Sequence, residues 1–288
     1  MNSSNPPTEK TLELKGQDLH DLEGQIVLCG AGKMGGALLE GWLQARLAPG
    51  KIAVIEPDPA PHIAALAARG VQINPDSAAL KNVAAIVIAV KPQTAAEALP
   101  PLAPMIGPAT VVISIMAGRT LHFLAGALRH DGAMVRAMPN TPAAIGRGIT
   151  VAVPLNVSVA QRDLAHRLLI ATGTVEWAAD EALMNAVTAV SGSGPAYVFL
   201  LAEALAKAGV AAGLPQALAD KLARETVAGA GELLRRSALP AAILRENVTS
   251  PGGTTAAALD VLMSKNGLPA LLQKAVAAAT QRSRKLAG

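Results

Sequence analysis

The chain has 288 residues, 51% of them hydrophobic, with a net charge of +4 and a pI near 9.4, enough length for two domains that each bury a core. Its basic residues are scattered and aromatics make up only 2%, which excludes a stacking platform for single strands and argues against a nucleic-acid partner. No window is uniformly apolar over the ~18 residues of a span, so no membrane partner is expected either.

Residues 1–23 are polar, contain Pro6 and Pro7, and lack the basic start, apolar middle and cleavage site of a secretory signal. They read as a flexible leader outside the fold. From residue 24 to 180, short apolar runs alternate with amphipathic stretches, the pattern of an α/β domain on a doubly wound parallel sheet. Gln25 to Gly30 predicts the first strand, and Lys33 to Leu47 a helix with Leu38, Leu39, Trp42 and Leu43 on one face. A strand at 51–55 and a helix over about 60–69, stopped by Gly70, come next. The run 83–90 is almost wholly apolar, as a strand covered on both faces should be. Strands at 110–114, 133–137 and 149–153, a helix over 158–171 and a last strand at 174–177 complete the domain. The single Cys29 lies in the first strand and has no internal partner, so a reducing cytoplasm is the simplest setting.

From 181 to 288 strand-like runs vanish and Ala, Leu and Gly recur at helical spacing, predicting an all-helical domain with helices at 181–190, 195–212, 215–237, 240–247, 254–265 and 269–286. Several begin with Pro at the first helical position, where the missing N–H is harmless. The stretch 196–213 is interrupted by Glu203 and Lys207 and reads as a buried helix, not a span. The helix after Pro215 is rich in small residues, among them Ala219, Ala223, Gly229 and Gly231, which would admit a partner helix. Self-association is the natural remedy for so much apolar surface in so small a domain, with tight packing inside one subunit as the alternative.

Two glycine-bearing turns stand out as anion sites. Ser250-Pro251-Gly252-Gly253-Thr254-Thr255 places free backbone N–H groups and hydroxyls at a helix start with no charged side chain among them, a site for a carboxylate or phosphate. A Ser/Thr N-cap is the bland alternative. Upstream, Gly30-Ala31-Gly32-Lys33-Met34-Gly35 follows a strand and opens a helix, which turns a weak G-x-G-x-x-G signal into a Rossmann-type dinucleotide fingerprint. Gly30 makes the turn, Gly32 lets amides reach a pyrophosphate, and Gly35 lets helix pack on strand. Glu56 ends the second strand, 21 residues past Gly35, where an acid accepts the ribose hydroxyls of NAD. No Arg or Lys occurs from Pro57 to Pro61 to offset a 2′-phosphate, which leans to NADH over NADPH. The crevice at the strand ends adds Ala89-Val90-Lys91-Pro92 and Ser114 to Gly118 as contacts.

A dehydrogenase acting on an alcohol or ketone needs a His or Lys near the reacting carbon. All five histidines precede the helical domain, and no metal-binding pattern of Cys or His occurs, so no metal site is expected. What remains is hydride transfer to an acceptor already activated, such as an iminium ion, which the enzyme need only orient.

The motifs Gly30 to Gly35, Ala89 to Gln93, Arg136-Ala137-Met138-Pro139-Asn140-Thr141-Pro142, Ser191-Gly192-Ser193-Gly194-Pro195-Ala196-Tyr197 and Ser250 to Thr255 occur in an order that resembles the pyrroline-5-carboxylate reductase family. The resemblance runs from Gln25 to the C-terminus. It implies reduction of 1-pyrroline-5-carboxylate to L-proline, the last step of proline synthesis, with NADPH or NADH. It also implies a homodimer whose helical dimerisation domains interlock to form the substrate pocket, assembled further into a decamer. Carried over by position, Gly30, Ala31, Gly32, Lys33, Met34, Gly35, Glu56, Ala89, Val90, Lys91, Pro92, Ile115, Met116 and Ala117 would contact the dinucleotide. Asn140 would shape the loop beside the nicotinamide. Ser250, Gly252, Gly253, Thr254 and Thr255 would hold the substrate, with Thr255 the catalytic hydroxyl nearest its nitrogen. Glu56 departs from the small polar residue of members that favour NADPH.

Two rivals are weaker. A β-hydroxyacid dehydrogenase also has a Gly-Ser-Gly turn before a long helix, but the register from Gly192 puts Val198 and Leu201 where its Lys and Asn belong. A non-catalytic dinucleotide sensor would leave the Ser250 turn without a purpose.

Overall fold

The computed structural model describes residues 18–287. The described residues fall into two compact units, one made of residues 18–192 and 282–287 and the other of Ser193–Gln281.

The first unit contains an eight-stranded sheet in the order β3-β2-β1-β4-β5-β6-β7-β8. Its strands are β1 (Gln25–Cys29), β2 (Ile52–Ile55), β3 (Gln72–Ile73), β4 (Val83–Ile88), β5 (Val111–Ser114), β6 (Met134–Met138), β7 (Gly148–Leu155) and β8 (Gly173–Trp177). The helices between them are α1 (Lys33–Gln44), α2 (Pro61–Ala64), α3 (Ala95–Ala98), α4 (Leu121–Leu128) and α5 (Val159–Ile170). Strand residues alternate between two apolar layers, as period-two geometry dictates. Ile26, Leu28 and Val87 join Leu38, Leu39, Trp42 and Leu168 on one face. Val27, Ile86 and Ile88 join Leu99, Leu121, Leu124 and Leu128 on the other. The Trp42 indole donates to the Leu168 carbonyl at 2.8 Å, fastening α1 to α5.

The sheet is parallel except at β6 and β7, which pair antiparallel. The doubly wound parallel sheet is as expected apart from this one pair, and the cause of the exception is connection length. Residues 139–147 hold only a 3₁₀ turn at Thr141–Ile145, too little for the crossover that a parallel neighbour requires. The order reverses beside β1, which lies between β2 and β4, and this opens the crevice at the carboxyl ends of those strands.

Two further differences concern local structure. The segment 18–23, expected to be leader, is packed: Leu19 and Leu22 are buried, Leu19 N–H donates to the Ala45 carbonyl at 2.7 Å, and Arg167 donates to the Asp18 carbonyl at 2.8 Å. Two leucines spaced to reach the first apolar layer outweigh the polarity around them. Residues 1–17 of that expected leader lie outside the described residues. The helix expected at 181–190 is a 3₁₀ turn (Glu181–Leu183), α6 (Met184–Val187) and a π turn (Thr188–Gly192). The Thr188 and Ser191 hydroxyls donate to the carbonyls of Met184 and Val187, drawing the backbone away from regular α geometry.

The second unit is helical, with α7 (Gly194–Ala211), α8 (Gln216–Arg236), α9 (Ala241–Asn247), α10 (Thr254–Leu262) and most of α11 (Leu268–Ala287). Gly209 lets α7 and α8 approach closely: a Cβ there would sit 3.3 Å from the Ala219 Cβ. Among the described residues of this unit only Ala206, Ala219 and Ala223 are buried, while Phe199, Leu200, Leu233 and Val261 are exposed. The expectation of a buried helix over 196–213 is therefore corrected: along α7 only Ala206 is buried, although Gly209 lies close against α8. By length and composition alone, the helical run Glu181–Ala211 is apolar enough to cross a membrane.

Candidate functional site

The Gly30–Gly35 loop leaves β1 between β2 and β4, with the Gly30 N–H on the Ile55 carbonyl at 2.9 Å and the Ala89 N–H on the Cys29 carbonyl at 2.7 Å. Gly30 has φ +93°, and a Cβ on it would lie 2.8 Å from the backbone of Ala89 and Val90. A Cβ on Gly35 would lie 2.1 Å from the Gly30 carbonyl oxygen, so helix and strand approach as only glycine allows. Gly32 differs, because a Cβ there meets nothing within 4 Å. Its open side faces a cavity of about 670 Å³. Gly32 is also the N-cap of α1 with no side-chain cap, which leaves the first-turn amides to an outside acceptor.

Of the expected cofactor residues, Gly30, Gly32, Glu56, Ala89, Val90 and Lys91 line that one cavity. Ala31, Lys33, Met34, Gly35, Pro92, Ile115, Met116, Ala117 and Asn140 are not part of its lining. Lys33 is exposed at the first position of α1, and Met34 packs against the first apolar layer. Ile115 and Met116 are buried just beyond β5, with the Ile115 N–H on the Ile88 carbonyl at 2.9 Å, and Ala117 is exposed beside them. The Asn140 side-chain oxygen accepts the Ile149 N–H at 2.9 Å, which fixes the loop between β6 and β7.

Glu56 is half-buried, and its Oε2 accepts the Ala31 N–H at 2.9 Å, so the acid at the end of β2 reaches directly into the glycine loop. Cys29 lines the same cavity, and burial, with the Glu56 charge second, pushes its thiol up to about 11. Bare amides at Gly32, an acid at the ribose position and a cleft of this volume fit a dinucleotide.

Sequence reasoning missed several contributors. Asn74 lines the cavity and its side chain bonds both backbone groups of Glu56. Pro75, Ala98, Leu102 and Met105 form an apolar wall. Arg119 donates to the Pro92 carbonyl at 2.9 Å and lies 4.5 Å over the Phe123 ring, joining the loops that follow β4 and β5. An Asn before a Pro is a visible turn signal, but its partner, 18 residues away, becomes a neighbour only through strand pairing. Arg136 proves structural: its side chain is 5% exposed and pairs with Glu181 at 2.7 Å, while Glu181 also accepts the Leu121 N–H at 2.9 Å.

The Ser250–Thr255 turn lies in the second unit. Gly252 has φ +69°, and the Gly253 N–H closes the turn on the Ser250 carbonyl at 3.0 Å. Gly253 itself is the N-cap of α10, with no side-chain cap, so the bland reading of a Ser/Thr cap does not hold. The first-turn amides of Thr254 and Thr255 are thus left without intrahelical partners. Ser250, Gly252 and Thr254 are exposed, and Gly253 and Thr255 are half-buried.

Residues 181–286 match the family model for pyrroline-5-carboxylate reductase dimerisation, and residues 25–118 match that for NADP oxidoreductase coenzyme F420-dependent proteins. The chain is 42% identical to the pyrroline-5-carboxylate reductase of Synechocystis sp. over 91% of its own length and 98% of the relative's. The structure of a pyrroline-5-carboxylate reductase from Coxiella burnetii superposes with a TM-score of 0.85 at 32% identity, covering 92% of this chain and 99% of that one. That of Plasmodium falciparum pyrroline carboxylate reductase with NADP bound gives 0.77 at 29% identity, with the same coverages. With the glycine cradle, the uncapped helix start and these matches along nearly its whole length, the chain belongs to the pyrroline-5-carboxylate reductase family.

Proposed function

We propose that this protein reduces 1-pyrroline-5-carboxylate to L-proline, the last step of proline biosynthesis, using NADPH or NADH. The observation that carries this reading is the Ser250–Thr255 turn, a start of α10 with no capping side chain and no charge of its own, suited to a small carboxylate. The amides of Thr254 and Thr255 and the hydroxyls of Ser250 and Thr254 would hold the substrate carboxylate, the turn at Gly252 and Gly253 letting it approach the backbone. The Thr255 hydroxyl would hydrogen-bond the ring nitrogen. That nitrogen arrives protonated from water, so no side chain has to deliver a proton to it. Orientation alone can then contribute several kcal/mol to lowering the barrier.

The bound nicotinamide supplies the hydride. On the protein side, Gly30 to Gly35 would cradle the pyrophosphate, Glu56 would accept the ribose hydroxyls, and Pro75, Ala98, Leu102 and Met105 would flank the adenine. Lys91 and Pro92 with Ile115, Met116 and Ala117 would border the nicotinamide end, and Asn140 would hold the loop beside it. The exposed apolar surface of the second unit supports a homodimer through the helical domain. A decamer would be the larger assembly, and the lone Cys29 would suit a reducing cytoplasm.

The test is a steady-state assay with each nicotinamide cofactor in turn. Pyrroline-5-carboxylate should bring on a fall in nicotinamide absorbance and a matching yield of proline. Cofactor binding with flat absorbance would identify a dinucleotide sensor instead.

A further inference from the structure

Asn74 occupies an unusual place. It follows the two-residue edge strand β3, with φ +48°, in the left-handed region that Asn tolerates better than most residues. Its own N–H donates to the Val54 carbonyl at 2.8 Å, which ties it to β2. Its side-chain oxygen accepts the Glu56 N–H at 2.8 Å, and its side-chain nitrogen donates to the Glu56 carbonyl at 2.8 Å. One exposed amide therefore grips both backbone polar groups of the residue whose carboxylate takes the Ala31 N–H. The order of contact is Asn74 to the Glu56 backbone, then Glu56 carboxylate to the glycine loop, and both residues line the cavity.

Carboxylates outnumber cations in that lining. Glu56 and Glu97 line the cavity, and Lys91, beyond β4, is the one basic side chain in its lining among the described residues. Residues 57–61 are Pro-Asp-Pro-Ala-Pro, with no cation to receive a phosphate. A free Glu56 could swing toward solvent and admit an extra dianion. Held at its backbone and by the Ala31 amide, it must either accept a ribose hydroxyl or repel whatever replaces it.

We propose that Asn74 is a positioning residue for cofactor discrimination: by pinning the Glu56 backbone it holds the carboxylate at the ribose end of the cleft, so that this enzyme works with NADH in preference to NADPH. The inference rests on the cofactor site of the reading above, but not on the identity of the substrate.

Fluorescence titration of the full-length protein with NADH and with NADPH, without substrate, separates the two. Wild type should bind NADH more tightly than NADPH. Asn74→Gly keeps the left-handed backbone while removing both side-chain bonds. It should weaken NADH roughly three- to tenfold, about the net worth of one hydrogen bond, with little change for NADPH. In turnover the loss should lie in KM for NADH rather than in kcat. Asn74→Ala, which restricts the backbone more, should move the ratio in the same direction. Glu56→Ser should abolish the preference, and adding Asn74→Gly to it should change nothing further, since both act through one carboxylate. Wild type favouring NADPH, equal weakening of both cofactors by Asn74→Gly, or additive effects in the double variant would each overturn the proposal. Should the titrations keep the expected ratios while pyrroline-5-carboxylate goes unreduced, the functional reading falls and the role of Asn74 stands.

Discussion

Phe199 on α7 offers a direct measure of how far the helical unit depends on a second copy. The side chain is 68% exposed in the single chain and the adjacent Leu200 62%, in a unit whose buried described residues are three alanines. Burying a whole Phe side chain stabilises by about 1.5–3 kcal/mol, so covering the exposed two-thirds is worth about 1–2 kcal/mol. An isologous dimer uses each residue twice, which makes Phe199→Ser cost about 2–4 kcal/mol of association. That corresponds to a rise in dimer Kd of roughly 30- to 700-fold. Sedimentation velocity over a dilution series reads this directly. Ile145→Ser is the control, since Ile145 is exposed at least as much but lies on a short turn of the first unit. An unchanged Kd for Phe199→Ser, or a wild type that is monomeric throughout, would refute the argument that this apolar face is covered by another copy of the chain.

The two inner glycines of the cradle should behave oppositely. Gly35→Ala drives a Cβ to within 2.1 Å of the Gly30 oxygen, so it should cost about 1–3 kcal/mol of stability and abolish cofactor binding, as calorimetry and a thermal melt would show. Gly32→Ala has room, so Tm should hold while cofactor affinity falls because the methyl projects into the cleft. The Cys29 thiol, raised from 9.0 to about 11 by burial, should carry about a hundredfold less thiolate near neutral pH than an ordinary cysteine and alkylate correspondingly slowly. Because the unfolded thiol ionises first, stability should also decline between about pH 9 and about pH 11, and denaturant midpoints would reveal it. Thr255→Val removes the hydroxyl at nearly constant shape and should lower kcat roughly 10- to 100-fold, with cofactor Kd unchanged and Thr255→Ser largely active. Equal loss of turnover and cofactor binding would argue against its assigned role.

The parts of this fold that were legible are those where period and turn chemistry agree. The run at β4 is apolar on both faces, and β1 leads through glycines into a helix with Leu38, Leu39 and Trp42 on one side. What escaped depends on contacts distant in sequence. Nothing in the residues of β7 states its direction, which follows from the shortness of the 139–147 connection. The helix Leu121–Leu128 has Thr120 as its cap, with the side chain accepting the Phe123 N–H, yet its eight residues gave no distinct helical period between the strands expected at 110–114 and 133–137. Leu19 and Leu22 are two apolar residues in a polar tract, and only the surface they cover explains them. At the cofactor cleft the glycines and Glu56 announced themselves through spacing, whereas Asn74 and Arg119 act on backbone groups that the fold alone brings near. On the helical side, periodicity reveals that a face is apolar but not which molecule covers it.

What covers the apolar face of the helical unit bears on catalysis. Neither α9 nor α10 has a buried residue in the single chain, yet α10 carries the turn proposed to orient the substrate. Catalysis by orientation needs reacting atoms held to a fraction of an ångström, and a helix resting on no core of its own cannot hold them so. If a second copy supplies that support, association is part of the active site rather than an accompaniment to it. Specific activity should then fall on dilution in step with the dimer fraction, and Phe199→Ser should recover activity at high protein concentration. Activity per subunit that stays constant through the dissociation range would show that α10 is rigid in the lone chain and that the catalytic turn needs no partner.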